Sequence, residues 1–63
     1  MKGDRYFVYH ADARYEGRDF DDCLYHMRIW ARGFRVTVKM LARDGSEQVV
    51  CSMDAGADEI NWR

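Results

Sequence analysis

Sixty-three residues, 48% hydrophobic and 33% charged, with nine aromatics and four methionines, make a globular composition rather than a disordered one, and no apolar run reaches the length of a membrane span. A chain this short hides roughly 60% of its unfolded surface, which predicts one small domain over residues 1–63 and little volume for an enclosed ligand pocket. The net charge of −1 conceals a segregated distribution: −2 over residues 1–22, +5 with no acid over 23–43, and −4 over 44–63.

The opening Met1-Lys2-Gly3-Asp4-Arg5 carries no signal-peptide apolar stretch, so the expectation is a soluble protein of the cytosol. Arginine outnumbers lysine eight to two and proline is absent, a composition that points to a GC-rich source such as a bacterium or its phage. From Arg5 to Glu16 the pattern alternates as a strand does, with Phe7, Tyr9, Ala11, Ala13 and Tyr15 on the face taken as the core side and Tyr6, Val8 and His10 on the other. Twelve residues is long for one strand, so a bulge or bend is expected near Asp12-Ala13. Gly17-Arg18 breaks the pattern.

A helix is expected from Asp19 to Gly33. Asp19 suits the N-cap, Asp21 and Asp22 suit the positive end of the dipole, Arg28 and Arg32 suit the last turns, and Gly33 suits a left-handed stop. A rotation of about 100° per residue gathers Phe20, Cys23, Leu24, Met27, Trp30, Ala31 and Phe34 on one stripe to be buried, and leaves Tyr25 and Ile29 outside.

Alternation resumes with Val36, Val38, Met40 and Ala42 inward and Arg35, Thr37, Lys39, Leu41 and Arg43 outward. Asp44-Gly45 is a strong hairpin signal. A two-residue loop there would set Arg43 opposite Ser46, Met40 opposite Val49, Lys39 opposite Val50, Val38 opposite Cys51, Thr37 opposite Ser52, Val36 opposite Met53 and Arg35 opposite Asp54. After the bend at Ala55-Gly56-Ala57, the tail reads as a short strand through Ile60 and Trp62 or as an acid-led helical turn, with Trp62 packing back on the body. The expected fold is α+β, a two-layer sandwich ordered strand-helix-strand-strand, with a further terminal strand if the tail extends. One helix covers a mostly antiparallel sheet of three or four strands, whose order the sequence leaves open, the third strand between the first two being one arrangement.

Chemistry is sparse. Cys23 and Cys51 lie on expected core faces and read as free thiols, a single helix-to-sheet bridge being the alternative. Cys23, His26, His10 and Cys51 are the soft metal ligands, but the expected faces scatter them, with His10 directed away from the helix, so no metal is expected. A buried cysteine beside a rim histidine outweighs a Cys23 nucleophile with a His26 base. No catalytic residue, cofactor site or phosphate-binding loop emerges, and the expectation is a protein that is not an enzyme.

Two surface groups remain for a partner: Arg35, Lys39 and Arg43 on the open strand face with Tyr6 nearby, and Tyr25, Arg28, Ile29 and Arg32 on the outer helix face. A solvated basic face is the plainer reading of the first group, and a phosphate-tracking strip the sharper one. Mixed aromatics and arginines suit a protein contact, and of the two groups the strand surface is favoured, because a strip on a sheet is more rigidly presented than side chains on one short helix.

In layout, the strand, the glycine-ended helix, the tight Asp-Gly hairpin and the Trp/Ile/Asn tail within residues 5–63 resemble certain small phage anti-CRISPR proteins. The resemblance brings no residue roles with it. It implies a stoichiometric inhibitor, monomeric or homodimeric, that acts in the bacterial host cytosol on a protein or ribonucleoprotein complex of the CRISPR-Cas type and blocks nucleic-acid entry or nuclease recruitment. The alternative is a small nucleic-acid-binding protein using the basic strand face.

Overall fold

The computed structural model describes residues 5–11 and 13–63. Its elements are β1 (Arg5–His10), β2 (Ala13–Gly17), α1 (Phe20–Trp30), β3 (Val36–Leu41), β4 (Glu47–Met53) and β5 (Asn61–Trp62). The strands form one sheet in the order β2-β1-β3-β4-β5 with every neighbouring pair antiparallel, and α1 covers one face. The α+β class is as expected, but the sheet has five strands and the order begins strand-strand-helix. The first strand, not the third, lies inside the crossover that α1 makes from β2 to β3.

The long alternating stretch is a hairpin. His10 pairs with Ala13, and Ala11 adopts a φ of 29°, the left-handed sense that tight two-residue turns require. The bend expected at Asp12-Ala13 falls partly on Asp12, which lies outside the described residues. Two intervening residues change the parity of the faces, because Val8 pairs with Tyr15 and His10 with Ala13. Tyr15 therefore faces the helix as expected, while in β1 the inward residues are Tyr6 and Val8 with His10, and Phe7 and Tyr9 stand on the open face. The expected core face of β1 is thus inverted.

The helix start matches its sequence signals: the Asp19 carboxylate accepts from Asp22 N–H at 2.8 Å, with extended backbone at the cap. The end comes earlier than Gly33. After Trp30, the amides of Ala31, Gly33 and Phe34 bond back to Met27 and Trp30 carbonyls at 2.8, 3.1 and 3.0 Å, so the terminal acceptors are met by tightened turns without a left-handed glycine.

Cys23, Met27 and Ala31 pack onto Val8, Val36, Val38, Cys51 and Met53, with Tyr6, Tyr15, Phe20, Leu24, Trp30, Val50 and Ile60 around them. Leu24 is only partly buried, and Phe34, expected inside, is 48% exposed because the chain has already left the helix. Its ring stacks on His10 at 4.5 Å, and Trp30 meets the same imidazole edge-on at 4.4 Å. His10 therefore lies on the helix side of the sheet, contrary to expectation.

The β3–β4 hairpin keeps the expected pairs Val36 with Met53, Thr37 with Ser52 and Val38 with Cys51. Nearer the turn it slips: Lys39 pairs with Val49, Met40 with Gln48 and Leu41 with Glu47. A two-residue loop needs φ > 0 at its first central position, in type II′, or at both, in type I′, yet of Asp44-Gly45 only the second, Gly45, is left-handed, at φ 92°. The loop therefore takes three residues, closed by Gly45 N–H to Ala42 O at 3.0 Å and Ala42 N–H to Ser46 O at 2.9 Å. Asp44 accepts from both the amide and the hydroxyl of Ser46. A bulge that leaves Val50 without a rung restores the register before the core pairs.

The tail is strand. β5 pairs Trp62 with Cys51 and Asn61 with Ser52, and Gly56 N–H, from a left-handed turn at φ 77°, bonds Ala31 O at 2.6 Å. Trp62 remains 59% exposed, with its ring 6.1 Å from that of Phe20.

Candidate protein-binding surface

The open face of the sheet gathers Arg5, Phe7, Tyr9, Arg14, Glu16, Thr37, Lys39 and Leu41 by their registers. No second layer covers it among the described residues, yet Phe7 is only 5% exposed, because the guanidiniums of Arg5 and Arg14 lie 5.3 and 5.1 Å from its ring centre. Lys39 Nζ sits 4.9 Å from the Tyr9 ring in the same way. Carboxylates neutralise most of these cations. Arg5 donates two bonds to Glu16 at 2.8 and 2.9 Å, Lys39 lies 3.8 Å from Glu47, and Arg35 lies 3.8 Å from Asp54. The Arg5 bonds hold the Glu16 carboxyl below the usual carboxylate range and raise the Arg5 guanidinium.

This alters the expected basic strip. Arg35 and Lys39 are each paired with an acid across the hairpin, and Arg43 belongs to the turn rather than to the strand face. Tyr6 is on the opposite side of the sheet, its ring 5.3 Å from Phe20, because the β1 faces are inverted. The four residues do not form one surface.

The helix group does. Tyr25 is 63% and Ile29 43% exposed, one turn apart on the outer side of α1. Arg28 and Arg32 stand exposed beside them, without an ion-pair partner among the described residues, and line a shallow depression of about 220 Å³ with Met53, Gly56, Ala57 and Asp58. Side-chain bonds tie the start of the same helix to β2 and the loop before it. Tyr15 O–H donates to Asp22 Oδ2 at 2.6 Å, Arg18 N–H donates to the same oxygen at 3.1 Å, and His26 Nδ1 lies 3.0 Å from Asp22 O. These donors, Tyr15 first, hold the Asp22 carboxyl below its ordinary range, and the same bond raises the Tyr15 phenol. The Asp22 to His26 spacing of four was legible in the helix. The Tyr15 bond was not, since it depends on the β1–β2 turn.

The thiols offer no nucleophile at this surface. Cys23 and Cys51 are free and fully buried, and burial pushes Cys51 up to about 11 and Cys23 in the same direction. No three metal-ligating side chains cluster among the described residues. No helix of the described residues is long and apolar enough to cross a membrane.

No protein-family model, curated protein or solved structure matches the chain.

Proposed function

We propose that this chain is a non-enzymatic protein-binding module that docks the outer face of α1 onto an acidic protein surface, and that its role is the one its layout suggests, inhibition of a bacterial CRISPR-Cas complex by a phage or mobile-element protein. The observation that carries the reading is the pair of exposed apolar side chains, Tyr25 and Ile29, one turn apart and flanked by the exposed Arg28 and Arg32. Tyrosine and arginine are the residues that dominate binding energy when a partner desolvates them. The arginines belong to a block of +5 without an acid, which fits an acidic partner. The open sheet face is less suited to a charge-driven contact because three of its cations, Arg5, Arg35 and Lys39, stand beside carboxylates of the same chain.

The test is restriction of phage growth. Expressed in bacteria whose CRISPR-Cas systems restrict a phage, the chain should restore plaquing against at least one system type and form a nuclease-resistant complex with that effector. Tyr25→Ala with Ile29→Ala should weaken that complex by roughly thirtyfold or more, and Arg35→Glu with Lys39→Glu should change it little. Failure to protect phage from any type would remove the inhibitor role, and capture lost on nuclease treatment would remove the protein contact itself.

One observation favours a second reading, a small nucleic-acid-binding protein. Tyr9 shares the open sheet face with Arg5, Arg14 and Lys39, the residue types that stack bases and contact phosphates. On that reading, reversing charge at Arg14 and Lys39 lowers both affinity and its salt dependence for single strands.

A further inference from the structure

β2 is an edge strand. Among the described residues it pairs with β1 on one side and with no strand on the other, and its register with β1 is continuous from Ala13 to Gly17. The sequence Ala13-Arg14-Tyr15-Glu16-Gly17 carries no proline or lysine, and no bulge interrupts it, so its only guard against pairing is the charge of Arg14 and Glu16, which are of opposite sign. The two-residue turn closes on the pair of His10 and Ala13, which makes that pair and every second one along the ladder the hydrogen-bonded pairs. The backbone groups of Ala13, Tyr15 and Gly17 thus turn toward β1, and those of Arg14 and Glu16 turn outward.

A second copy offers the same outward groups in the antiparallel direction. Three two-fold registers match them. Centring the axis on Arg14 sets Arg14 against Arg14, and centring it on Glu16 sets Glu16 against Glu16. Centring it on Tyr15 sets Arg14 of each copy against Glu16 of the other, twice. Like charges directly opposite are unfavourable and unlike charges favourable, so one register alone is self-complementary. Arg14 has no ion-pair partner among the described residues, and the Glu16 carboxylate, although held by Arg5, keeps acceptor capacity for a second guanidinium.

We propose that the chain self-associates through β2 in the Tyr15-centred register, joining the sheets of two copies into one continuous sheet with both helices on the same side. This contact lies apart from the outer face of α1 and goes beyond the function proposed above.

Sedimentation velocity over about 10 µM to about 1 mM reads the association, since a five-residue edge supports only a modest affinity. Arg14→Glu and Glu16→Arg should each weaken self-association by roughly tenfold, because either places like charges opposite each other in both symmetric pairs. Mixed in equal amounts, the two variants should associate with one another again, since the acids of one copy then face the arginines of the other. Amide exchange on the unaltered protein supplies the second measurement: the N–H groups of Arg14 and Glu16 should slow as concentration rises, while those turned toward β1 change little. A monomer throughout the range overturns the proposal. So does a mixture no more associated than either variant alone, or a dimer that leaves the Arg14 and Glu16 amides unprotected.

Discussion

Gly17→Ala isolates a close approach between sheet and helix. A Cβ at Gly17 would fall on Cys23 Sγ, inside van der Waals contact, and would stand 3.1 Å from Asp19 O and 3.2 Å from Cys23 N. The sulfur has nowhere to go, because Cys23 is fully buried among Val8, Met27, Val38 and the rest of the core. Overpacking of this kind costs about 1–3 kcal/mol, while replacing glycine would otherwise return roughly 0.5–1 kcal/mol through the unfolded chain. The expected net loss is about 1–2 kcal/mol, against a total of roughly 3–9 kcal/mol for a chain of this length. Urea unfolding followed by the fluorescence of Trp30 and Trp62 gives the midpoint and slope, and the slope should stay unchanged. Cys23→Ala removes the obstructing sulfur. In that background the cost of Gly17→Ala should fall by about 1 kcal/mol, a coupling a double-mutant cycle resolves. An identical cost in both backgrounds would refute the steric account.

Met27→Ala should cost about 2–5 kcal/mol because Met27 is wholly enclosed, Leu24→Ala less because that side chain is only partly covered, and Ile29→Ala within about 0.5 kcal/mol; denaturant melts that placed Ile29 above Met27 would show the helix to be rotated. The lowered Asp22 carboxyl contributes stability that is complete above about pH 4 and is lost as pH falls through the lowered value. Tyr15→Phe removes the largest cause, so stability should depend less on pH below about pH 4, and an acid limb as steep as in the unaltered protein would contradict the bond. Cys23 and Cys51 should resist a thiol reagent at about pH 8 until the chain unfolds and then react together, and immediate labelling of either would contradict their burial.

The features legible in the sequence are those set by neighbours along the chain. Asp19 announces the helix start because its carboxylate needs only Asp22, three residues on. The outward placement of Tyr25 and Ile29 follows from helical periodicity alone. What periodicity cannot supply is the parity change across a turn. Counting apolar residues on one uninterrupted strand favoured Phe7 and Tyr9 as core, and the two residues between His10 and Ala13 reverse that choice for β1 while leaving Tyr15 inside. Tyr6 lies on the helix side, away from the basic strip, for the same reason. Phe7 nevertheless lies almost fully covered, by arginine stems rather than by a second layer, a form of burial that an alternating pattern does not encode. The ion pairs that neutralise Lys39 and Arg35 arise across β3 and β4. Aspartate opposite Arg35 was readable from the hairpin register, whereas Glu47 near Lys39 required the slip.

That slip also makes the hairpin a molecule with two possible alignments of the same residues. Without the bulge, the core pairs from Val36 to Val38 would extend evenly to a two-residue turn, with Val49 directed inward and Val50 outward. With it, the two valines exchange places, and Val50 packs on the core. Because both are valine, the core is nearly indifferent to which one it receives, and the decision passes to the turn. Asp44, held by Ser46, and the left-handed Gly45 favour the three-residue loop. A substitution at position 44 that accepts the left-handed backbone, such as asparagine, would shift the balance toward the even ladder. Local turn chemistry thus selects the alignment of a strand half without disturbing the half that holds the fold.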